Sequence, residues 1–286
     1  MGGDALTNLP PFIIEDAVSR ALEEDLGLAG DITSAACVPA DSLSKAVIAA
    51  RKPGVIAGID LALAAFRLVD RDIETRVERG DRAPVAAGDV IMRIEGPARG
   101  ILAAERVALN FLGRLSGVAT QTALYVEACA GTKARIVCTR KTTPGLRAFE
   151  KNAVLCGGGK NHRFGLYDAV MIKDNHIVAA GGVAAALTAA KKAVGHMAAI
   201  EIEVETLEQM EEALEHGARI ILLDNMSLDD LRLAVALNKG RAVLEASGGV
   251  TLDSVKAIAQ TGVDVISSGS ITHSAPCLDL GLDFLI

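Results

Sequence analysis

Apolar residues recur at three- and four-residue spacing over 11–26, PFIIEDAVSRALEEDL, and predict an amphipathic helix. Short β-like runs follow, KAVIAA, GVIAG, TRVERG and DVIMRIEG, with Gly and Pro between them and one helical stretch, IDLALAAFRLV, inside the series. This mixed opening third predicts a small α+β domain. From 99 to about 130 the spacing is helical again, and Gly113 and Gly117 within it mark either a break or a tight crossing. From about 134 the rhythm becomes regular. The apolar strand candidates ARIVC, AVMIK, AAIEIEV, RIILLD, AVLEAS and DVISSG alternate with the helical stretches GLRAFEKNAVLCG, VAAALTAAKKAV, LEQMEEALEHG, LDDLRLAVALN and LDSVKAIAQTG. Such alternation predicts parallel strands joined by crossover helices. A barrel or part-barrel is the natural closure, and a doubly wound open sheet is the alternative.

Polar residues collect where these strands end: Arg140 and Lys141, Lys173, Glu203, Asp224, Ser247 with Gly248 and Gly249, and Ser268 with Gly269. In parallel α/β folds the C-terminal strand ends share one face, so these distant residues are predicted to converge. A single charged strand end is usually a solvated loop; six in succession point to a site. Their order predicts three subsites. Adjacent cations suit carboxylates or a pyrophosphate. Carboxylates suit Mg²⁺, sugar hydroxyls or a developing positive charge. The turns ASGGVT and ISSGSITHS, each opening toward a helix, offer backbone N–H groups to a phosphate. His162 and Arg163 in GGGKNHRFGLYD add further anion contacts, although the glycines there do not form a dinucleotide fingerprint.

Composition narrows the partners. The 286 residues carry 29 Lys and Arg against 36 Asp and Glu, a net charge of −7, which argues against general nucleic-acid or membrane-surface binding. None of the five cysteines, Cys37, Cys129, Cys138, Cys156 and Cys277, forms a C-x-x-C pair, and none of the five histidines forms an H-x-x-x-H or H-x-H pair. Neither zinc nor a redox motif is therefore indicated. The start MGGDALTNLPPF lacks a secretory pattern and fails the myristoylation pattern at Leu6. With no apolar run long enough to span a bilayer, a reducing cytoplasm with free thiols is expected.

TRKTTPGLR (139–147), GGGKNHR (157–163), IKDNH (172–176), EIEVET (201–206), LLDN (222–225) and EASGG (245–249) stand in the order and spacing of one family, and AERVALNFLGRLSGVAT (104–120) matches its helix entering the barrel. The chain resembles the quinolinate phosphoribosyltransferases. The resemblance implies an α/β fold of the barrel (type II) phosphoribosyltransferase class: an N-terminal α/β sandwich domain over 1–115, an incomplete α/β barrel over 116–274, and a tail, 275–286, returning to the first domain. It implies transfer from phosphoribosyl pyrophosphate to quinolinate with loss of CO₂, a requirement for Mg²⁺, and a homodimer. By resemblance, Arg140, His162, Arg163 and Lys173 hold quinolinate, with Arg106 donated by the neighbouring subunit. Lys141 favours the pyrophosphate. Glu203 and Asp224 form the acidic pair beside ribose and metal, and they act in catalysis with Lys173. Ser247, Gly248, Gly249, Ser268 and Gly269 form the 5′-phosphate turns. The family usually has Asp at position 138 and commonly an aromatic at 152, where this chain has Cys138 and Asn152. Cys138 is read as structural rather than nucleophilic, and its presence removes the usual partner that would orient Arg140 or Lys141. Three other readings remain open: a paralogous transferase for another aromatic acid, a barrel aldolase with Lys173 as Schiff base, and a non-catalytic ligand-binding protein. The type I phosphoribosyl pyrophosphate motif is absent.

Overall fold

The computed structural model describes residues 9–285; the leading MGGDALTN, on which the secretion and myristoylation readings largely rested, lies outside the described residues. Packing divides the chain into two units. The first takes the described residues of Met1–Ala123, Ala148–Gly158 and Ala275–Ile286, and the second takes Leu124–Arg147 and Gly159–Ser274.

The first unit opens with α1 (Pro11–Leu26), entered through Pro at the first helical position and left at Gly27, whose φ of 52° suits glycine. A one-turn-and-a-half helix α2 (Ile32–Cys37) follows, with the Asp31 side chain accepting from the N–H groups of Thr33 and Ser34. Strands β1 (Leu43–Ala50), β3 (Glu74–Val77), β5 (Val90–Pro97) and β12 (Leu280–Leu285) form an antiparallel sheet in the order β12-β1-β5-β3. The short strands β2 (Gly54–Val55) and β4 (Pro84–Val85) pair separately. Helix α3 (Ile59–Val69) packs on α1 and buries Phe66 completely. This unit's core includes Ile48, Ile91, Met92 and Ile94 from the sheet.

The long helix α4 (Ala98–Ala128) runs through Gly113 and Gly117 without a break. The glycines serve a crossing instead: a Cβ at Gly117 would lie 2.0 Å from the Pro276 carbonyl oxygen, and the Leu278 N–H donates to the Gly113 carbonyl at 2.9 Å. The tail is thereby laid across α4 before β12 pairs with β1, from Lys45↔Leu285 to Ala50↔Leu280. Helix α5 (Arg147–Cys156), which follows the first barrel strand in sequence, packs largely with this unit, where Glu150 accepts from Arg114 at 2.7 Å.

The second unit is built on a six-stranded parallel sheet: β6 (Arg135–Val137), β7 (Val170–Ile172), β8 (Ile200–Val204), β9 (Ile220–Asp224), β10 (Val243–Ser247) and β11 (Val265–Ser267). Their order is β6-β11-β10-β9-β8-β7. The first strand thus pairs with the last, while β6 and β7 remain the two ends, so the barrel is incomplete. Crossover helices α6 (Asp174–Ala180), α7 (Val183–Ala193), α8 (Leu207–Glu215), α9 (Leu228–Asn238) and α10 (Leu252–Ala259) fall between the strands, and a last short helix α11 (Ser270–His273) follows β11. Apolar positions Ile202, Val204, Leu244 and Ala246 are buried at alternate positions of β8 and β10, leaving Glu201, Glu203, Glu245 and Ser247 on the opposite faces of those strands.

Candidate active site

A cavity of about 660 Å³ opens at the C-terminal ends of the parallel strands, and every wall of it comes from the second unit. Arg140, Lys141, His162, Arg163, Lys173, Glu203, Asp224, Ser247, Gly248, Gly249, Ser268 and Gly269 all line it. Arg106 does not. It sits on α4 in the first unit with its side chain 64% exposed and only a 3.9 Å approach to Glu105.

The cationic wall begins where β6 surfaces. Arg140 and Arg163 each keep a buried Nε with no hydrogen-bond partner, so part of each guanidinium's donor capacity is unspent. Burial first, and then neighbouring Arg140, push the Arg163 guanidinium below its ordinary value, against the pull of Glu201 and Asp168. One residue unmarked in the sequence reading, Arg147, knits this wall together. Its Nε donates to Thr142 Oγ1 at 3.0 Å, Nη1 to the Phe164 carbonyl at 3.1 Å and Nη2 to the Arg140 carbonyl at 3.4 Å. The loops carrying Arg140 and Arg163 are joined through that one side chain. Asp168 caps the second loop by accepting from the N–H groups of Phe164 and Gly165. Cys138 is fully buried and donates to Asn161 Oδ1 at 3.2 Å, outside the cavity lining.

His162 is held at both ring nitrogens. The Arg163 backbone N–H donates to Nδ1 at 2.7 Å, which leaves Nε2 to carry the ring proton and donate to Glu201 Oε2 at 2.9 Å. As an anion contact it would first have to give up one of these bonds. The sequence reading omitted Glu201 and also Glu245, whose Oε1 lies 3.8 Å from His162 Nε2. Both were legible through strand period: Glu201 shares a face with Glu203, and Glu245 with Ser247.

The acidic wall is partnered. Lys173 Nζ pairs with Glu203 Oε2 at 2.5 Å, with the lysine side chain 43% exposed and the glutamate 12%. Asp224 accepts from Asn225 Nδ2 at 2.7 Å, and Asn225 is locked at φ 54° by its own N–H donating to the Ser247 carbonyl. Two carboxylates facing an open cavity suit a hard cation such as Mg²⁺, which commonly takes one or two protein carboxylates and completes its shell with water and phosphate oxygens.

The glycine turns close the far side. Gly248 and Gly249 have φ of 93° and 59°, and the chain then enters α10 through Thr251, whose hydroxyl accepts from the Ser254 N–H at 3.3 Å. Ser268 Oγ donates to the Val250 carbonyl and bonds Ser270 Oγ at 2.7 Å, tying the two turns together. Thr272 Oγ1 donates to the Lys141 carbonyl at 2.7 Å, and the Lys141 stem lies so close to Gly269 that a Cβ there would meet its Cδ at 2.9 Å. The Lys141 stem is therefore packed against the Gly269 turn.

An open parallel barrel whose strand tips carry cations, carboxylates and glycine turns defines an α/β-barrel site for carboxylated and phosphorylated small molecules. The family models for the quinolinate phosphoribosyl transferase C-terminal and N-terminal domains match residues 118–283 and 31–116. The chain is 45% identical over 260 residues to a probable nicotinate-nucleotide pyrophosphorylase (carboxylating) of Bacillus subtilis, covering 91% of this chain and 89% of that protein. It is 44% identical over 275 residues to the nicotinate-nucleotide pyrophosphorylase (carboxylating) of Mycobacterium leprae, covering 94% and 96%. The solved nicotinate-nucleotide pyrophosphorylase of Francisella tularensis superposes with a TM-score of 0.93 at 38% identity, covering 99% of this chain and all of that one. The chain belongs to the quinolinate phosphoribosyltransferase family.

Proposed function

We propose that this protein joins quinolinate to phosphoribosyl pyrophosphate, forming nicotinate mononucleotide, pyrophosphate and CO₂, the entry of the pyridine ring into NAD biosynthesis. The observation that carries the reading is the convergence of the cationic, acidic and glycine-turn subsites on one cavity. Quinolinate brings two carboxylates, and Arg140 and Arg163 offer unspent donors to them, with Lys173 beside them. Lys141 and the turns at Gly248, Gly249 and Gly269 suit the phosphates of the sugar donor, together with Ser247 and Ser268. As the pyridine nitrogen attacks the anomeric carbon and pyrophosphate departs, positive charge grows on the ribose. Glu203 and Asp224 are the groups placed to stabilise that charge. The alkylated ring nitrogen then draws the electrons of the breaking carboxylate bond. Mg²⁺, held by Asp224 and Glu203 directly or through water, would neutralise pyrophosphate charge.

Two features of the reading extend beyond one chain. Arg106, exposed and without a close carboxylate partner, is assigned to a neighbouring subunit's site in a homodimer. All five cysteines are free, and among the described residues no helix is long and apolar enough to cross a membrane, in keeping with our placement of the reaction in the cytoplasm. A Schiff-base role for Lys173 is disfavoured by its ion pair with Glu203, since such a lysine needs an apolar setting that lowers its pKa.

Incubation with quinolinate, phosphoribosyl pyrophosphate and Mg²⁺ is expected to yield nicotinate mononucleotide and CO₂, and a chelator is expected to stop it. Product from nicotinate in place of quinolinate, with none from quinolinate, would establish the paralogous monoacid transferase instead. The phosphate turn gives a further expectation. A Cβ at Gly248 would lie 2.1 Å from Asn225 Oδ1 in a backbone held at φ 93°. Gly248→Ala should therefore displace both the turn and the residue that holds Asp224. With backbone strain of about 1–3 kcal/mol, KM for phosphoribosyl pyrophosphate is expected to rise by roughly tenfold or more, with the affinity for quinolinate alone little changed. Steady-state kinetics beside direct quinolinate titration decides it.

A further inference from the structure

We propose that Glu245 is the general acid of the second half of this reaction, giving its proton to ring carbon C2 as the adjacent carboxylate leaves. The inference rests on the function proposed above. When the C2–carboxylate bond breaks, CO₂ departs and the electron pair stays on C2 of the cationic ring. That carbon must then gain a proton, so the site has to supply one. Transfer from the Glu245 carboxyl forms the C2–H bond and leaves a carboxylate, which solvent reprotonates once product has gone.

The other carboxylates of the cavity, and His162, are committed elsewhere. Glu203 is paired with Lys173, Asp224 accepts from Asn225, and the Nε2 proton of His162 is given to Glu201. Glu245 lines the cavity yet is only 4% exposed, and its Oε1 has no hydrogen-bond partner. A carboxyl in the cavity wall, with one oxygen buried and making no hydrogen bond, is a place where a proton can be held for delivery. Each packed element contributes to its surroundings. Glu201 faces it from β8, His162 from the loop after Lys160, and Ser267 from β11, while its register neighbour on β9 is the uncharged Leu222. Arg140 and Arg163 line the same cavity. Burial first, then the Glu201 charge, push the Glu245 carboxyl up to about 7, against His162 and a hydrogen bond from Ser267. His162, Glu201 and Glu245 also place ligand atoms within 4.8 Å of one another, as a metal centre would. Yet Arg163 already interacts with Glu201 and stands beside Arg140, so a divalent ion there would face two fixed positive charges. A proton is the cation that suits this trio.

Glu245→Gln keeps the shape and removes the proton. Its single-turnover rate of nicotinate mononucleotide formation is expected to fall about 10²–10⁴-fold, while quinolinate affinity by calorimetry stays within about threefold. The sign of the pH dependence follows from which form is active. The wild-type rate is present while Glu245 is protonated and declines as pH rises through about 7. Glu245→Gln should lack that limb, and Glu245→Asp should recover part of both rate and limb. Glu245→Gln turning over at the wild-type rate, or losing quinolinate affinity as severely as rate, overturns the assignment. So does a wild-type profile with no decline on the basic side, whatever the variants' folding. A wild-type protein that forms no nicotinate mononucleotide defeats the proposed function itself, whereas product formation unaffected by Glu245→Gln defeats only the role of Glu245.

Discussion

Alanine at Glu203 is expected to lower turnover by about 10²–10³-fold, the loss of roughly 2.7–4 kcal/mol that follows removal of one preorganised group aimed at transition-state charge. It is the penultimate residue of β8, lining the cavity with its side chain only 12% exposed, and the ion pair to Lys173 fixes its orientation before any substrate arrives. Charge on the ribose exists only while the glycosidic bond is being exchanged. The damage should therefore fall on kcat more than on KM. Removing Glu203 also frees Lys173, whose half-exposed ammonium gains freedom to compete for the pyrophosphate or the quinolinate carboxylates. KM for either substrate is accordingly expected to hold or fall slightly. Glu203→Gln, which keeps the volume but loses the charge, should be nearly as slow. Measured kcat at saturating substrates is the deciding quantity, with thermal unfolding as a control on the fold; near-normal turnover in both variants would remove Glu203 from the chemistry.

The strand and helix alternation was legible because each element of the second unit has its own period. Strands β6 to β11 coincide with the six apolar runs, and their tips carry the polar residues that meet in the cavity. What was not legible has definite causes. Helix α6 begins at Asp174 inside the IKDNH motif and is short and polar at its start. Strands β2 and β4 have only two residues each, too few for any alternation to show. Gly113 and Gly117 could mean a kink or a close crossing, and only the tail from Ala275 onward, distant in sequence, decides for the crossing. Glu201 and Glu245 were legible only through strand period, since each lies two residues before the polar residue near its strand's end, Glu203 or Ser247. The strands are staggered, so that Glu245 on β10 is level, through Leu222 on β9, with Glu203 on β8, and Glu201 lies one period below it. Arg147 stands in the sequence only as the end of TRKTTPGLR; its three hydrogen bonds depend on loops that meet only in the folded chain.

Arg140→Ala should act on binding where Glu203→Ala acts on rate. Two arginines stand in the cavity with buried, unpartnered Nε groups, and burial first, then the Arg140 charge, lower the Arg163 guanidinium's hold on its proton. A dicarboxylate relieves both conditions at once by supplying acceptors and negative charge. Truncating one partner of such a desolvated, charge-assisted contact costs about 2–5 kcal/mol, a weakening of quinolinate binding of roughly 30-fold to several thousand-fold. Arg163 remains and retains its own tether to the Ala169 carbonyl, while Arg147 loses no side-chain partner, since it holds Arg140 only by the backbone oxygen. The loop is therefore expected to keep its course, and the affinity for phosphoribosyl pyrophosphate, which rests on Lys141 and the glycine turns, to change far less. A monocarboxylate such as nicotinate, with fewer contacts to lose, should be weakened less than quinolinate, so the preference for the diacid narrows. Calorimetric titration of both acids into the wild type and Arg140→Ala measures this directly: an unchanged diacid preference would separate Arg140 from carboxylate recognition and leave its position on the cationic wall without that role.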